Sequence, residues 1–404
     1  MKRYKILFVI HRLGAGGAEK SLVSLLNSLP LNDLNIDLMA IDPNGIFRSQ
    51  LPQRINMIEA PNELICETAK ITKKIFWTHS NLKTVILKIW SIIRCRLRSK
   101  KSRSEKSHDQ YYNEIWRKYI PSNSVSYDVA ISYMDCVNYY VIDHIKAKKK
   151  ILWCHNDYNK LAYKPMYDLH YYEKANKICT ISELCKRSLV ENFPSIKNKF
   201  EVIENISSTR MIYAQAEVLS EMKDSNDGFI NDKRFRIISI GRLTEQKGFD
   251  YAVDAAKFLK EKGLDFCWYI IGEGPLRKSL EKRAFKQNVS KFVKFIGIRS
   301  NPYPYIKFAD IFVMPSRYEG KSIALDEAKI LCKPIIVTKY PSVYDAIDNG
   351  INGILSDIDA YAIAKSIMIL YQNKDLRNKL INNLKSEDNT NEKHVVKAFL
   401  NLIN

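Results

Sequence analysis

Two glutamates, eight residues apart, are the residues of this 404-residue sequence whose spacing most directly suggests chemistry. In "SRYEGKSIALDEA", Glu319 follows an apolar strand-like run and Glu327 lies in the next helix-like run. Ser322 between them is a good helix N-cap, so backbone amides near Ser322 and Ile323 are expected at the helix start, where they bind anions. Carboxylates instead accept hydrogen bonds from hydroxyls. The segment therefore predicts a site for a molecule with hydroxyls at both ends and a diphosphate between them. Taken alone, Glu327 is better explained as an ordinary helix glutamate.

Two further turns carry cationic residues or glycines directly after strand-like runs. The turn "GRLTEQKG" follows "FRIISI" and places Arg242 and Lys247 on one short loop. Arginine can bind a phosphate through two parallel hydrogen bonds, and lysine adds a point charge. The turn "GAGGAEK" follows "KILFVI", and Gly16 and Gly17 there allow a ligand to approach the backbone closely. A pair of solvated cations and a plain tight turn are the alternatives for these two loops.

The alternation of strand-like and helix-like runs predicts the elements that position these turns. Buried apolar runs followed by helical sequence are typical of doubly wound α/β domains, in which ligands bind beyond the carboxyl ends of the strands. The pattern occurs twice, so the sequence predicts two doubly wound, Rossmann-like α/β domains. We expect a first domain at 1–205, a linker at 206–232, a second domain at 233–385, and a final helix at 386–404 that can pack back on the first domain. Residues 62–126 lack strand-like runs and are expected to form a basic, mostly helical insertion.

The formal net charge of +20 predicts an anionic partner. Phosphorylated small molecules, an acidic membrane surface and nucleic acid all fit the charge, but no helix-turn-helix, RNA-recognition or zinc motif supports nucleic acid. The eight cysteines have no metal-ligand spacing and are expected to be reduced, buried thiols in the cytosol. The acidic "DID" at 357–359 precedes a helix and is expected to cap it, so no metal and no cofactor are predicted.

In their order along the chain, these motifs resemble those of retaining glycosyltransferases of family 4, the glycosyl transferases group 1. The resemblance implies the GT-B fold, in which two Rossmann-like, doubly wound domains face each other across a cleft. The resemblance rests on "GGAEK", "GR…KG", "GEGP" and the E-x7-E segment "EGKSIALDE". It extends to about Tyr371 and leaves the insertion at 62–126 outside. It implies that the first domain binds an acceptor and the second a nucleoside-diphosphate sugar, UDP being common in the family.

The resemblance also implies roles for the candidate residues. Glu319, with the backbone of Gly320 and Lys321, would hold hydroxyls of the donor sugar, and Glu327 would accept hydrogen bonds from the ribose. Arg242 and Lys247 would neutralise the departing diphosphate. The other implied donor-binding residues are Gly16, Gly17, Ile298, Arg299, Ser322 and Ile323, with the nucleotide base lying against the backbone of Ile298 and Arg299.

A histidine in "WCHNDY" also matches the family, which commonly places a histidine near the donor sugar. This residue, His155, follows the strand-like run "KKILWC". A lone histidine is more often structural, but its place at a strand end and the family match favour a catalytic role. Asn156 and Asp157 beside it are expected on the acceptor side.

The insertion contains a basic cluster interleaved with apolar residues, which we interpret as a membrane-facing patch. A solvated basic helix packed on the first domain is the alternative. With the resemblance, the patch implies a peripheral enzyme on the cytoplasmic face of a bacterial membrane, acting on a polyprenyl-diphosphate-linked saccharide in surface-polysaccharide synthesis. The residues of the patch are Lys88, Trp90, Arg94, Arg96, Arg98, Lys100, Lys101 and Arg103, with Lys106 beyond them.

The sequence leaves two other functions open. One is a GT-B sugar-nucleotide epimerase or hydrolase, which an assay with donor and acceptor together distinguishes from a transferase. The other, suggested by charge alone, is a basic nucleic-acid-binding protein, for which weak and strongly salt-dependent binding is expected.

Overall fold

A computed structural model describes residues 4–14, 16–99, 107–161, 163–225, 227–387 and 390–404. The chain divides into two compact units, Met1–Asn205 with His394–Asn404, and Ile206–Lys393. Each unit contains one sheet of parallel strands with helices on its faces, so both are Rossmann-like, as the sequence predicted.

Within the described residues, the first sheet has seven strands in the order β3-β2-β1-β4-β5-β6-β7. The interior strand β1 is buried along Ile6–Ile10, which explains the continuous apolar run in the sequence. The strands are β1 Tyr4–Arg12, β2 Leu34–Asp42, β3 Asn56–Ile58, β4 Ser126–Ser132, β5 Lys146–Cys154, β6 Lys177–Thr180 and β7 Phe200–Val202. The helices of this unit are α1 Gly17–Ser28, α2 Asn62–Thr68, α3 Lys74–His79, α4 Leu82–Ser99, α5 His108–Trp116, α6 Asn138–His144, α7 Pro165–Lys174 and α8 Glu183–Asn192.

The second sheet has six strands in the part of the chain that is described, in the order β10-β9-β8-β11-β12-β13. They are β8 Phe235–Ile240, β9 Phe266–Ile271, β10 Val293–Gly297, β11 Ile311–Met314, β12 Ile335–Thr338 and β13 Ile354–Ser356. The accompanying helices are α9 Thr209–Ala216, α10 Ser220–Asp224, α11 Phe249–Glu261, α12 Arg277–Lys286, α13 Tyr303–Phe308, α14 Ile323–Ile330, α15 Ala360–Gln372 and α16 Lys374–Ser386. The two faces of this sheet pack into two separate apolar clusters.

The final helix, α17 at Glu392–Ile403, packs against the sheet of the first unit. The Phe399 ring stacks on Phe8 of β1, with ring centroids 5.9 Å apart. The ammonium of Lys149, on β5, donates to the Leu402 carbonyl oxygen at 3.1 Å. The chain thus returns to the first sheet after completing the second.

The stretch at 206–232, expected as a linker, is folded into the second unit. It contains the short helices α9 and α10, and Ile212, Met222 and Phe229 are buried in one apolar cluster of that unit. Ile212 and Met222 belong to helices of eight and five residues, and Phe229 follows these helices. Helices this short contain too few turns for a helical spacing of apolar residues to be recognised in the sequence.

The insertion at 62–126 contains α2 to α5, and β4 begins at its end. Its side chains Phe76, Trp116 and Ile120 join the apolar core of the first unit. None of the helices in the described ranges is long and apolar enough to cross a bilayer.

Candidate active site

The loops after β8 and β11 meet where the second sheet reverses its strand order. Strands β9 and β10 continue the chain on one side of β8, whereas β11 pairs directly with β8 on the other side. This reversal is the position at which open parallel sheets bind ligands. The loop after β8 carries "GRLTEQKG", and the loop after β11 carries "SRYEGKS". The sheet topology therefore brings together the two motifs that the sequence singled out separately.

Lys247 and Glu319, predicted to act on different parts of a donor, form an ion pair. The Lys247 ammonium lies 2.6 Å from Glu319 Oε1, and the side chains are 19% and 6% exposed. The hydroxyl of Ser316 donates to the same oxygen at 2.6 Å, and Gln246 Nε2 donates to Oε2 at 3.3 Å. These three donors hold the carboxylate in one orientation at the switch point.

Arg317 joins the two loops through both its backbone and its side chain. Its guanidinium donates to both carboxylate oxygens of Asp250 at 2.8 and 2.6 Å, the parallel arrangement that fixes geometry as well as charge. It also donates to the Glu245 carbonyl at 2.7 Å, while the Arg317 amide donates to the Gln246 carbonyl at 2.7 Å. The guanidinium carbon lies 4.3 Å from the centre of the Tyr251 ring. The loop carrying Glu319 is therefore tied to the loop carrying Lys247.

A glycine allows this close contact between the loops. Gly248 has φ 62°, in the left-handed region, and a β-carbon there would lie 2.0 Å from the Pro315 carbonyl oxygen. A larger residue at 248 would push the two loops apart. The "KG" of the motif is thus explained by packing between the loops.

Helix α14 begins between the two glutamates, as predicted. Ser322 occupies the N-cap position, but its hydroxyl makes no capping bond and donates to Met314 Sδ at 3.2 Å. The amides of the first turn are therefore not capped by this side chain. Glu327 lies inside α14, is 2% exposed, and accepts a hydrogen bond from the Tyr303 hydroxyl at 3.1 Å. Because Glu327 is buried, it is not the ordinary surface glutamate that the sequence analysis kept as an alternative.

The other predicted donor-binding residues surround these loops. The Arg242 side chain is exposed, and no described residue forms a hydrogen bond or ion pair with it. Gly320 and Lys321 lead into α14, with Ile323 as its first residue. Ile298 is exposed after β10, whereas Arg299 pairs with Asp227 at 2.9 Å. A cavity of about 680 Å³ adjoins this last loop and is lined by residues that include Gly297, Arg277 and Arg299.

In the first unit, the order reverses between β1 and β4, and the glycine-rich turn follows β1. A β-carbon on Gly16 would lie 2.0 Å from Glu19 Oε2. Glu19 is buried and pairs with Arg12 at 3.1 Å, while Gly17 begins α1. The absence of a side chain at Gly16 is therefore explained by the space that the Glu19 carboxylate occupies. The ligand contact predicted for Gly16 and Gly17 stays a prediction.

His155 follows β5 and packs against the Tyr133 ring at a tilt of 48°, with ring centroids 4.8 Å apart. Its Nε2 atom is buried, and no described residue hydrogen-bonds to it. Burial lowers the pKa of His155 to about 3, so the ring stays neutral at physiological pH. A neutral imidazole can donate or accept a hydrogen bond but adds no positive charge.

Asp135 is a neighbouring acid that the sequence prediction missed. It follows β4, and its Oδ1 atom is also buried without a hydrogen-bond partner in the described residues. Burial raises the pKa of Asp135 to about 6. Its position in the sequence could have marked Asp135 as a candidate site residue, because it directly follows the strand-like run "YDVAISYM". The structure places the end of this strand next to the switch point of the first sheet.

The two residues predicted on the acceptor side differ in their surroundings. Asn156 is exposed. The Asp157 carboxylate caps the turn that follows it by accepting from the Asn159 amide at 3.0 Å. A turn cap is enough to explain Asp157, so its proposed contact with an acceptor rests on position alone.

The structure corrects the predicted membrane patch at Lys88. This residue is 6% exposed, and its ammonium donates to the carbonyl oxygens of Cys66 and Glu67 at 3.0 and 2.6 Å. It therefore caps the end of α2 and cannot face a membrane. Trp90, Arg94 and Arg96 are exposed on α4. The side chain of Arg98 and the residues Lys100, Lys101, Arg103 and Lys106 lie outside the described residues.

Residues 220–387, within the second unit, match the family Glycosyl transferases group 1. The motifs around Lys247 and Glu319 therefore lie in the part of the chain that is similar to this family.

Two curated relatives match over less than half of their length. The amylovoran biosynthesis glycosyltransferase AmsK of Erwinia amylovora is 30% identical over 178 residues, covering 42% of this chain and 42% of the relative. The Escherichia coli UDP-Gal:alpha-D-GlcNAc-diphosphoundecaprenol alpha-1,3-galactosyltransferase is 30% identical over 159 residues, covering 37% of this chain and 41% of the relative. The chain spans about half, or less, of the length of the curated relatives it matches.

A solved structure matches the chain over nearly its whole length. Anabaena HepE in complex with UDP-glucose superposes with a TM-score of 0.70, covering 99% of both chains at 14% sequence identity. The chain has the two Rossmann-like parallel-sheet domains of GT-B glycosyltransferases, which confirms the predicted fold class.

Proposed function

We propose that this protein is a glycosyltransferase that moves a sugar from a nucleoside-diphosphate donor to a hydroxyl of a saccharide acceptor. The observation that carries the proposal is the joining of the Lys247 and Glu319 loops at the start of α14, at the switch point of the sheet. The sequence match to glycosyl transferases group 1 includes this whole constellation. A fixed carboxylate for hydroxyls beside cations and helix amides for phosphate suits a nucleotide sugar.

We propose UDP as the nucleotide and a hexose or N-acetylhexosamine as the sugar. HepE, a structural neighbour, was solved with UDP-glucose, and the name of the Escherichia coli relative gives UDP-galactose as its donor. In this reading Glu319 holds sugar hydroxyls and Glu327 holds the ribose. Both carboxylates are already oriented by hydrogen bonds, so binding need not order them.

We propose that the reaction retains the anomeric configuration. When the bond between the sugar and the phosphate breaks, positive charge develops on the sugar ring and negative charge on the diphosphate. Arg242, Lys247 and the amides of α14 would stabilise the leaving group without a metal. The departing phosphate would take the proton of the acceptor hydroxyl, which attacks from the same face. The neutral His155 ring would lie near the donor sugar.

For the acceptor, we propose a polyprenyl-diphosphate-linked saccharide used in surface-polysaccharide synthesis. The name of the Escherichia coli relative specifies a diphosphoundecaprenol acceptor, and AmsK belongs to amylovoran biosynthesis. The net charge of +20 suits both a diphosphate head group and an anionic membrane. The enzyme would then act from the cytoplasmic side as a peripheral membrane protein.

The test is a transfer assay with the full chain. Radiolabelled UDP-glucose, UDP-galactose and their N-acetyl derivatives are each incubated with a panel of polyprenyl-diphosphate-linked mono- and disaccharides. We expect one donor to label the lipid fraction, and NMR of the product to show the donor's anomeric configuration. Donor consumption without labelled lipid would indicate a hydrolase or epimerase, and an inverted linkage would contradict retention.

A further inference from the structure

Helix α4 exposes a set of large apolar side chains, whereas the polar residues Thr84, Lys88 and Ser91 are among those that it buries. Six large apolar side chains, between 41% and 77% exposed, recur at intervals of one, three or four residues along its length. At 3.6 residues per turn they form a continuous stripe about 100° wide. This exposed stripe consists of Leu82, Ile86, Ile89, Trp90, Ile93 and Leu97.

The buried face of α4 explains why the stripe points outward. Lys88 reaches the last carbonyls of α2, and its ammonium also lies over the Tyr112 and Trp116 rings at 5.1 and 5.8 Å from their centres. Ser91 and Thr84 are buried on the same side and bond to backbone oxygens of Leu87 and Asn81. Rotating the helix to bury the stripe would break the Lys88 hydrogen bonds to α2 and leave the carbonyl oxygens of Cys66 and Glu67 without this donor, which is costly.

Basic residues flank the stripe on both sides. Lys83 and Arg94 lie along one edge, where the Arg94 guanidinium is 4.8 Å from the centre of the Trp90 ring, and Arg96 lies along the other edge. The sequence of α4 contains no acidic residue. An apolar stripe with a tryptophan and cationic flanks is the pattern of a helix that lies in a membrane interface.

We propose that the stripe of α4 inserts into the surface of an anionic bilayer and is the membrane-contacting surface of this protein. The anchor is then an apolar face with basic edges, and the exposed Lys83, Arg94 and Arg96 contribute attraction to anionic lipids at those edges. A second copy of the chain is a poorer occupant, because pairing two α4 stripes would bring basic edges together. The biological role of this membrane contact rests on the proposed lipid-linked acceptor. The test of the contact itself does not involve glycosyl transfer.

Vesicle co-sedimentation of two matched double variants tests this surface. Ile86→Ser with Ile93→Ser alters the stripe, whereas Met166→Ser with Phe285→Ser removes two exposed apolar side chains elsewhere on the chain. On phosphatidylcholine vesicles containing phosphatidylglycerol, we expect the stripe variant to bind at least about tenfold more weakly than the wild type, since binding scales with inserted apolar area. The control should bind like the wild type. High salt should weaken wild-type binding without abolishing it.

Tryptophan fluorescence provides a second measurement of whether the stripe inserts into the bilayer. Of the five tryptophans, Trp116, Trp153 and Trp268 are buried, whereas Trp77 and Trp90 are exposed. In a Trp77→Phe background, brominated lipids should therefore quench Trp90, and the stripe variant should lose this quenching.

Three results would overturn the proposal: equal vesicle binding by the two double variants, absence of Trp90 quenching in vesicle-bound protein, or a wild type that binds no vesicles but dimerises through the stripe. UDP titration of the stripe variant keeps the two proposals separate. Normal UDP binding with lost vesicle binding supports the membrane surface. Loss of UDP binding by the wild type would contradict the proposed donor and leave the vesicle result standing.

Discussion

At the scale of single residues, the main finding is that the candidate donor-binding carboxylate is not isolated. Glu319 accepts hydrogen bonds from Lys247, Ser316 and Gln246, so its position depends on both loops. The sequence predicted Lys247 and Glu319 as separate functional residues. It could not predict that they touch, because 72 residues separate them and their contact depends on β8 pairing with β11.

Replacing either loop cation should slow transfer. We expect Lys247→Ala and Arg242→Ala each to reduce kcat by about 10²- to 10³-fold, the usual loss when one group that stabilises developing charge is removed. Lys278→Ala, which removes an exposed lysine of α12, is the matched control and should leave kcat unchanged. Steady-state rates at saturating donor give the comparison. A loss below threefold in both loop variants would exclude them from the reaction.

At the scale of elements, the loops after β8 and β11 behave as one unit joined by Arg317 and Asp250. The sequence located both loops correctly by their motifs. It did not predict this ion pair, because Arg317 and Asp250 are 67 residues apart and neither belongs to a sequence motif that indicates its partner. Similarly, the helices of the insertion were predicted, but the burial of Lys88 was not, since a lysine normally stays at the surface.

Breaking the Arg317–Asp250 pair should lower turnover by displacing Glu319. We expect Arg317→Ala and Asp250→Ala each to reduce kcat about tenfold while UDP affinity changes little, because the donor-site residue affected is the one assigned to the sugar. The effects of two substitutions that remove the same contact are not additive. The kcat of the double variant should therefore be no lower than that of either single variant. Fully additive losses, or losses that follow the melting temperature alone, would show that the pair does not position Glu319.

The buried Glu67 beside Lys88 should make stability depend on pH. Burial raises the pKa of Glu67 from 4.5 to about 8, so the folded protein holds a proton that the unfolded chain releases between these values. The stabilisation is complete below the unfolded pKa and is lost as the pH rises towards 8. Tyr139 donates a hydrogen bond to this carboxyl group, which a glutamine can also accept.

Denaturant unfolding of the wild type and Glu67→Gln between pH 5 and 7.5 measures this effect. The wild-type free energy of unfolding should fall with pH more steeply than that of the variant, by about 1 kcal/mol per pH unit. Lys88, whose pKa burial lowers to about 8, titrates mainly above this range. Parallel curves for the two proteins would contradict the assignment.

At the scale of the whole molecule, the fold was predictable because both sheets are built from buried apolar strands with helices between them. The linker expected at 206–232 was less predictable, because this segment folds into the second unit through anchors on short helices. The match to glycosyl transferases group 1 lies within the second unit, which contains the motifs around Lys247 and Glu319. The first unit contains His155, Asp135 and the exposed stripe of α4, so acceptor recognition and membrane contact are expected to depend on this unit.

The most direct test of the account is calorimetric titration of UDP and its sugars into the wild type, Glu327→Ala and Tyr303→Phe. We expect one UDP site per chain and an affinity at least about tenfold lower in Glu327→Ala, because a hydrogen bond between a carboxylate and a ribose hydroxyl is lost. Tyr303→Phe removes only the tyrosine hydroxyl that donates to Glu327 and should bind UDP nearly normally. Equal losses in the two variants would mean that Glu327 acts through Tyr303 and does not hold the ribose. Absence of binding by UDP, GDP and ADP sugars alike would contradict the nucleotide-sugar site itself.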